Sequence, residues 1–291
     1  MRVSDLNIDR IYVNSIVRSA NYKMVENHFH YYYELFYVRQ GGCRFFINNS
    51  LYDLHAGDYL IIPPREVHFN RYLSQCTRIN VYFRESDLLE NGGLGSAQRE
   101  QKFLRLAFVH IPHAYRGEIE AILDGMLRED KVDDDATALA LSLELKQFFL
   151  LCSRYCTFSR QQTQSEGDRA ILDAARYITE NYAQPITLED LSSRAGLSPS
   201  YFSRRFRQTT GMGMKEYLSF IRLQHASMEL LSTRHTVTEV AFNCGFSDSN
   251  YFKDAFRRMY GLSPRAFRNS RTTDYILKQS ILTQPQGWED A

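Results

Sequence analysis

The second half of this chain contains the same short pattern twice. The first copy is LSSRAGLSPSYFSRRF, residues 191–206, and the second is VAFNCGFSDSNYFKDAF, residues 240–256. The two YF pairs are 50 residues apart, and Gly196 precedes Gly245 by 49 residues. Self-similarity at a fixed spacing indicates one structural unit used twice. The duplication therefore restricts the C-terminal half to a fold built from two similar units.

Each copy has the local signals of a helix, a sharp turn and a second helix. Thr187 and Thr236 are suited to cap a helix, because a threonine hydroxyl accepts from free amides of the first turn. Gly196 and Gly245 suit the turn, since glycine adopts a positive φ at little cost. Phenylalanines one helical turn apart would pack each second helix onto its first: Phe202, Phe206, Phe252 and Phe256.

The outer face of each second helix carries small and basic side chains, which suit entry into a DNA major groove. The alternative is a plain helical hairpin with solvated arginines. Two matching copies within one basic block favour the DNA-reading interpretation. The predicted DNA-contacting residues are Ser200, Ser203, Arg204, Arg207, Ser249, Asn250, Lys253 and Arg257.

The segment between the copies, residues 214–231, predicts one continuous helix. Such a helix is about 27 Å long, and successive major grooves on one DNA face are roughly 34 Å apart. We therefore expect one monomer to contact two groove segments on the same face of the duplex.

The formal net charge of +1 conceals an asymmetry along the chain. Residues 169–273 contain 15 Lys or Arg and 9 Asp or Glu, a net charge of +6, and the remainder has a net charge of −5. This points to a polyanion, such as double-stranded DNA, as the partner of one end only, and the alternative is a solvated basic surface. The chain lacks an apolar leader, a bilayer-length apolar run and a CxxC pair, which predicts a cytoplasmic protein with no membrane partner.

The first half predicts a different architecture. Residues 1–83 alternate short aromatic and β-branched runs with turn signals, as in a small sandwich or barrel, and residues 86–100 suggest a loop. Residues 117–130 and 136–155 have helical periodicity and would pack on the barrel or pair with a second subunit. The predicted divisions are a sensing and dimerisation domain, 1–156, a linker, 157–168, a DNA-binding domain, 169–273, and a tail, 274–291.

The stretch HFHYYYE, residues 28–34, groups polar residues on one side of a predicted strand. Alternate strand residues share a face, so His28, His30 and Glu34 would point the same way. They could contact an effector, hold a metal ion or stabilise the barrel. Five more residues are candidates for lining a pocket, and strand parity leaves open which of them face inward: Arg18, Tyr37, Arg44, Arg78 and Asn80.

The two C-terminal copies resemble the helix-turn-helix signatures of the AraC/XylS family of transcriptional regulators. VAFNCGFSDSNYFKDAFRRMYGLSPRAFR, residues 240–268, is similar to the second signature nearly throughout, and ITLEDLSSRAGLSPSYFSRRFRQTTG resembles the first. The similarity covers about 100 residues and is highly specific. One departure is Asp254, where many members have a basic or polar residue.

The N-terminal half resembles the cupin-like sensing domain of the same family. The pattern H-x-H-x3-E-x6-G is met by His28, His30, Glu34 and Gly41. A second pattern ends at His68, although Arg65 replaces one of its glycines. Metal-binding cupins use these three histidines and the glutamate as ligands, whereas regulators of the family commonly bind a small organic effector, often a sugar, without metal.

The resemblance implies an α+β protein with a cupin-like β-barrel and an all-α domain of two helix-turn-helix units joined by a long helix. We expect a homodimeric transcription regulator, an activator, controlled by an effector at His28, His30, Glu34 and His68, with RNA polymerase as a further candidate partner. It is expected to be no enzyme and to need no cofactor, with a divalent metal ion left open. The alternative is a metal-dependent cupin enzyme or a metal sensor fused to a DNA-binding module.

Overall fold

The computed structural model describes residues 10–20, 22, 30, 32–64, 66, 68–90, 93–159 and 166–269. The described residues 10–159 belong to one compact unit and residues 166–269 to another. His28, the predicted tail 274–291 and residues 160–165 of the predicted linker lie outside the described residues. Among the helices that are described, none has the length and apolar character needed to cross a membrane.

The first unit is rich in strands, and two pairs of helices are inserted in its sequence. Its strands are β1 Tyr12–Arg18, β2 Tyr33–Gln40, β3 Gly42–Ile47, β4 Ser50–His55, β5 Asp58–Ile62, β6 His68–Tyr72, β7 Cys76–Phe83, β8 Ala107–His110 and β9 Thr157–Ser159. Its helices are α1 Glu85–Leu89, α2 Ala97–Phe103, α3 His113–Glu129 and α4 Thr137–Tyr155.

The strands form two antiparallel sheets that face each other. The larger has the order β1-β7-β2-β5-β8-β9 and the smaller β4-β3-β6. Phe36 of β2 meets Phe45 of β3 across the gap, with ring centroids 4.7 Å apart. The face of the larger sheet that looks toward the smaller sheet is called the interior face below. This is the cupin-like barrel expected from the sequence.

Strand alternation gives the larger sheet two different apolar faces. Phe36 and Val38 lie on the interior face and pack against the smaller sheet. Leu35 and Tyr37 point the other way and pack against α3 and α4. Because both faces are covered, β2 is buried along most of its length. Its polar residues therefore lie among apolar neighbours.

Two details of the sequence interpretation are corrected. Residues 86–100 were expected to form a loop, but α1 and α2 occupy most of them. Each is too short for a clear periodic signal and is held by a buried side chain, Leu88 in α1 and Phe103 in α2. The segment predicted as linker also begins with β9, which pairs with β8, and ends inside the first helix of the second unit.

The second unit is helical throughout its described residues. Its helices are α5 Glu166–Asn181, α6 Leu188–Arg194, α7 Pro199–Thr210, α8 Met214–Ser232, α9 Val237–Asn243, α10 Ser249–Tyr260 and α11 Pro264–Asn269. The continuous helix predicted for residues 214–231 is confirmed as α8. The two predicted helix-turn-helix copies are the pairs α6–α7 and α9–α10.

The duplication seen in the sequence extends to individual backbone hydrogen bonds. The amide of Leu197 donates to the carbonyl of Ser192 over 2.9 Å as the chain leaves α6. The equivalent amide after α9, that of Phe246, donates to Ala241 over 3.0 Å. These bonds satisfy carbonyls that a helix end leaves unpaired. Both turns therefore have the same geometry.

Paired phenylalanines form the core of each copy. The rings of Phe202 and Phe206 in α7 lie 5.6 Å apart, and those of Phe252 and Phe256 in α10 lie 5.5 Å apart. All four side chains are fully buried. Each buried aromatic side chain stabilises by about 2–3 kcal/mol through apolar burial, so these pairs fix the rotation of each second helix.

The turn glycines allow a matched stability test. Gly196 has a φ of +66° with nothing within 4 Å of an added Cβ, whereas Gly245 has a φ of +84° and its Cβ would lie 2.7 Å from the carbonyl oxygen of Ala183. Gly196→Ala should cost about 1–2 kcal/mol, because only the left-handed conformation is strained. Gly245→Ala should cost clearly more, because a backbone clash is added. Urea denaturation of the full chain measures both, and equal costs would contradict the described turn.

Candidate functional site

Three polar residues predicted from separate parts of the sequence meet inside the barrel. Glu34 lies on the interior face of β2, His68 begins β6 in the smaller sheet, and His30 lies just before β2. Each has a side chain almost completely buried, and one ligand atom from each lies within 4.8 Å of the others. The group therefore connects the two sheets through polar contacts.

Backbone carbonyls set the orientation of both imidazole rings. Nδ1 of His30 lies 2.7 Å from the carbonyl oxygen of Tyr32, and Nδ1 of His68 lies 2.9 Å from that of Glu66. A carbonyl oxygen only accepts, so Nδ1 carries the hydrogen in each ring. Both Nε2 atoms are thereby directed to the carboxylate of Glu34, at 3.0 Å from His30 and 3.4 Å from His68.

This arrangement brings three acceptors together whenever both rings are neutral. Three acceptors this close repel one another, and a proton on one ring or a bound cation among the three groups removes that repulsion. Metal-ligating histidines usually donate their second ring N–H to a carbonyl or carboxylate, as His30 and His68 do here. Two imidazoles and a carboxylate also form a donor set that first-row divalent ions accept. The residues present therefore fit a metal ion as well as a polar ligand.

The electrostatics of the group favour an ionised carboxylate. Burial alone raises the pKa of Glu34, but the hydrogen bonds and charges of His30 and His68 outweigh it and hold the pKa well below its usual range. Burial lowers the pKa of His30, and the neighbouring carboxylate only partly offsets this. Glu34 is therefore the negative centre of the barrel interior.

Strand pairing extends the polar group along β7. The amide of Asn80 donates to Oε1 of Glu34 and, over 2.7 Å, to the hydroxyl of Tyr82. Tyr82 lies opposite Glu34 in the β2–β7 register, and its ring packs on that of Tyr32 at 5.2 Å. The Tyr32 ring in turn stacks on His30 at 4.5 Å. Aromatic rings thus surround the charged group.

The structure separates the other candidates for lining the pocket. Arg78 shares the interior face of β7 with Asn80, and Arg18 lies on the same face of β1. Tyr37 and Arg44 point away: the Tyr37 hydroxyl donates to Glu120 on α3, and Arg44 pairs with a carboxylate on β4. Parity within one strand cannot assign the inner face, which is decided by the packing of α3 and α4 on the larger sheet and by the packing of the two sheets on each other.

Besides Tyr82 on β7, two interior residues of β6 were missed by the sequence interpretation. Asn70 and Tyr72 follow His68 on β6 at two and four positions, so all three share one face. Both are buried. The same alternation that groups His28, His30 and Glu34 could have found them once His68 was taken as interior.

The predicted DNA-contacting residues lie on the sides of α7 and α10 that their phenylalanines leave open. Six are exposed: Ser200, Arg204, Arg207, Asn250, Lys253 and Arg257. Ser203 and Ser249 are half-buried. Among the described residues, Arg207 makes a 3.9 Å ionic contact with Glu216, and the Lys253 amine donates to Asn250 over 3.4 Å. These side chains keep most of their capacity to bind a partner.

Exposed tyrosines accompany the basic residues at equivalent positions of the two copies. Tyr201 and Tyr251 are both exposed although each is next to a buried phenylalanine. The Arg204 guanidinium lies 5.6 Å from the Tyr201 ring centre. On α10 a cleft of about 720 Å³ is lined by Tyr251, Asp254, Arg257 and Arg258, so the acidic departure from the family pattern lies beside two arginines.

Comparisons with known families match both units. Residues 14–149 match the model of the AraC-like ligand binding domain, and residues 191–270 match that of a helix-turn-helix domain. A cupin-like ligand-binding barrel and a duplicated helix-turn-helix unit on one chain define a ligand-binding transcriptional regulator. The chain belongs to the AraC family of transcriptional regulators.

Individual relatives agree with this assignment. The chain is 33% identical over 222 residues to the HTH-type transcriptional regulator YijO of Escherichia coli K12, covering 74% of each chain. It is 26% identical over 261 residues to the HTH-type transcriptional activator RhaS of Klebsiella pneumoniae, covering 86% of this chain and 89% of RhaS. The DNA-binding domain of AdpA, solved with a target DNA, is 32% identical, with a TM-score of 0.34, over 35% of this chain and 91% of its own.

Removing the Glu34 charge should make the barrel less stable in a pH-dependent way. The folded-state pKa of Glu34 is depressed, so its stabilisation is complete above the ordinary glutamate pKa of about 4.3 and is lost as the pH falls through the lower folded value. Glu34→Gln should cost about 2 kcal/mol at neutral pH, and the cost should shrink in acid. Urea midpoints across this range measure it, with exposed Glu118→Gln as control. A cost independent of pH would contradict the ionised carboxylate.

Proposed function

We propose that this protein is a transcription activator whose DNA binding is controlled by a small molecule in the barrel. The main support for DNA binding is the exposed, basic helix face that occurs on both α7 and α10. The polar group at His30, Glu34 and His68, buried between two sheets, supports the effector part, and His28 is proposed to join it. The name of the Klebsiella relative, a transcriptional activator, supports activation over repression.

The DNA assignment rests on exposure, charge and repetition together. Arg204 in α7 and Lys253 in α10 are exposed basic residues that face away from the buried phenylalanines of their helices. Basic side chains at such positions contact phosphates or base edges when the helix enters the major groove. We assign the eight predicted residues on α7 and α10 to this contact, with direct base reading strongest for Arg204.

Arg204→Ala should weaken binding to a DNA site selected by the full chain by about 1–3 kcal/mol and relax preference at one base position. Arg176→Ala is the matched control, since Arg176 is exposed on α5 of the same unit but belongs to neither second helix. Fluorescence anisotropy with single-base variants of the site measures both. Unchanged affinity and unchanged preference in Arg204→Ala would remove this residue from the interface.

The barrel site supports recognition of a small polar molecule rather than catalysis. Asn80, Tyr82 and the two histidines present hydrogen-bonding groups inside an apolar shell, as pockets that select polar ligands do. A sugar is the kind of effector that regulators of this family commonly bind. The duplicated DNA-reading unit has no use in an enzyme, which favours a sensor.

A metal sensor is the second candidate, favoured by the converging Nε2 atoms of His30 and His68 and the Glu34 carboxylate. The bound ion would supply the positive charge that the three groups require. Elemental analysis of protein purified without chelator or affinity metal should then show a stoichiometric divalent ion that is lost in His68→Ala. Metal-free wild-type protein that still answers a metabolite would exclude this candidate.

Dimerisation is proposed to use the outer face of α4. Leu139 and Leu143 are one helical turn apart on α4 and are 54% and 56% exposed, although α4 otherwise packs against the barrel. Adjacent exposed leucines on one helix face suit pairing with a second copy. A pair of barrels would place two DNA-reading units on one regulatory site, beside which RNA polymerase could be contacted.

The double variant Leu139→Glu with Leu143→Glu should convert a dimer into a monomer, because charges replace the apolar contact. Leu73→Glu is the control, since Leu73 is 42% exposed on the barrel away from α4. Sedimentation equilibrium measures the oligomeric state of the wild type and of each variant. A monomeric wild type, or a double variant that stays dimeric, would contradict this interface.

A further inference from the structure

The barrel interior contains polar atoms that have no partner among the described residues. The amide oxygens of Asn70 and Asn80 and the Nη1 atom of Arg78 are buried without a hydrogen bond. An unpaired buried polar group is destabilising, and most such groups in folded proteins have a partner. Their concentration on the inner strands β6 and β7 points to a ligand that supplies the missing partners.

Two hydrogen-bond donors, Arg78 and Tyr72, lie side by side on these strands. Nε of Arg78 donates to the hydroxyl of Tyr72 over 3.1 Å, which leaves Nη1 of Arg78 and the hydroxyl hydrogen of Tyr72 free to donate onward. Burial raises the pKa of Tyr72 to about 12, so that hydrogen is retained at neutral pH. A guanidinium N–H beside a hydroxyl matches the two oxygens of a carboxylate.

The charge balance of the interior also favours an anion. Arg78 and Arg18 both lie on the interior side of their strands, and the described residues give neither a carboxylate within salt-bridge distance. The Arg78 guanidinium lies 5.3 Å from the Phe36 ring centre, and that of Arg18 4.2 Å from the Tyr22 ring centre. Among the described residues, two interior-side arginines thus stand against one interior carboxylate, that of Glu34, which acts on Arg78 only through its field and is already bonded to Asn80.

We infer that the effector is a small hydroxy acid. Its carboxylate binds Arg78 and Tyr72, and its hydroxyl groups donate to the amide oxygens of Asn70 and Asn80. Sugar acids belong to this class, whereas a neutral sugar leaves the Nη1 atom of Arg78 without a carboxylate to bond. This inference rests on the proposed function, because it names the class of molecule that the barrel senses.

The need for a carboxylate is tested by comparing the binding of glycolate with that of its neutral amide, glycolamide, which is similar in size, at the same ionic strength. In the full chain with ¹⁵N-labelled arginine, the Arg78 Nε–Hε resonance is assigned by its loss in Arg78→Lys, which keeps the charge but not the forked geometry. Glycolate should shift this resonance saturably and bind at least roughly tenfold more tightly than glycolamide. The resonance of Arg71, exposed on the same strand as Tyr72, is the control and should not saturate.

Three results would overturn the inference: no saturable shift of Arg78, equal binding of glycolamide, or saturation by inorganic phosphate but not by glycolate. None of these would affect the proposed control by an effector, which a neutral molecule could still exert. The proposed function fails on a different result, namely that no metabolite of any charge alters the affinity of the full chain for its selected DNA.

Discussion

Burial of two phenylalanine pairs determines what this chain can present to DNA. Phe202 with Phe206, and Phe252 with Phe256, take one face of each second helix into the core. An α-helix has no freedom to rotate once that face is buried, so the opposite face must be exposed. The residues on it, including Arg204 and Lys253, are available for their proposed contact with DNA because of this constraint rather than because of contacts of their own.

In the barrel, too, burial of one face fixes where the other side chains point, but here side chains alternate between faces with a period of two residues. Alternation along β2 and β7 directs one set of side chains to α3 and α4 and the other to the interior. Polar residues on the inner set cannot reach solvent, so they must find partners inside. Glu34 finds them in His30, His68 and Asn80, whereas Arg78 and Asn70 keep unpaired atoms that a ligand can use.

Sequence periodicity predicted most of this architecture because the repeat, the caps and the turn glycines are local signals. Thr187 and Thr236 do cap α6 and α9, and their side chains accept from the amides of Asp190 and Glu239. Sequence periodicity could not predict features that depend on contacts between distant parts of the chain. Whether Tyr37 or Arg78 faces the interior depends on which side α3 and α4 cover, and the short helices in 86–100 depend on buried anchors rather than on periodicity.

One monomer is proposed to read two successive major grooves with α7 and α10, which α8 joins. Selection of bound DNA from a random library by the full chain tests it most directly. Two conserved blocks are expected for each monomer, with centres about one helical turn, or 10–10.5 base pairs, apart. A single conserved block for each monomer, or no sequence preference, would contradict it.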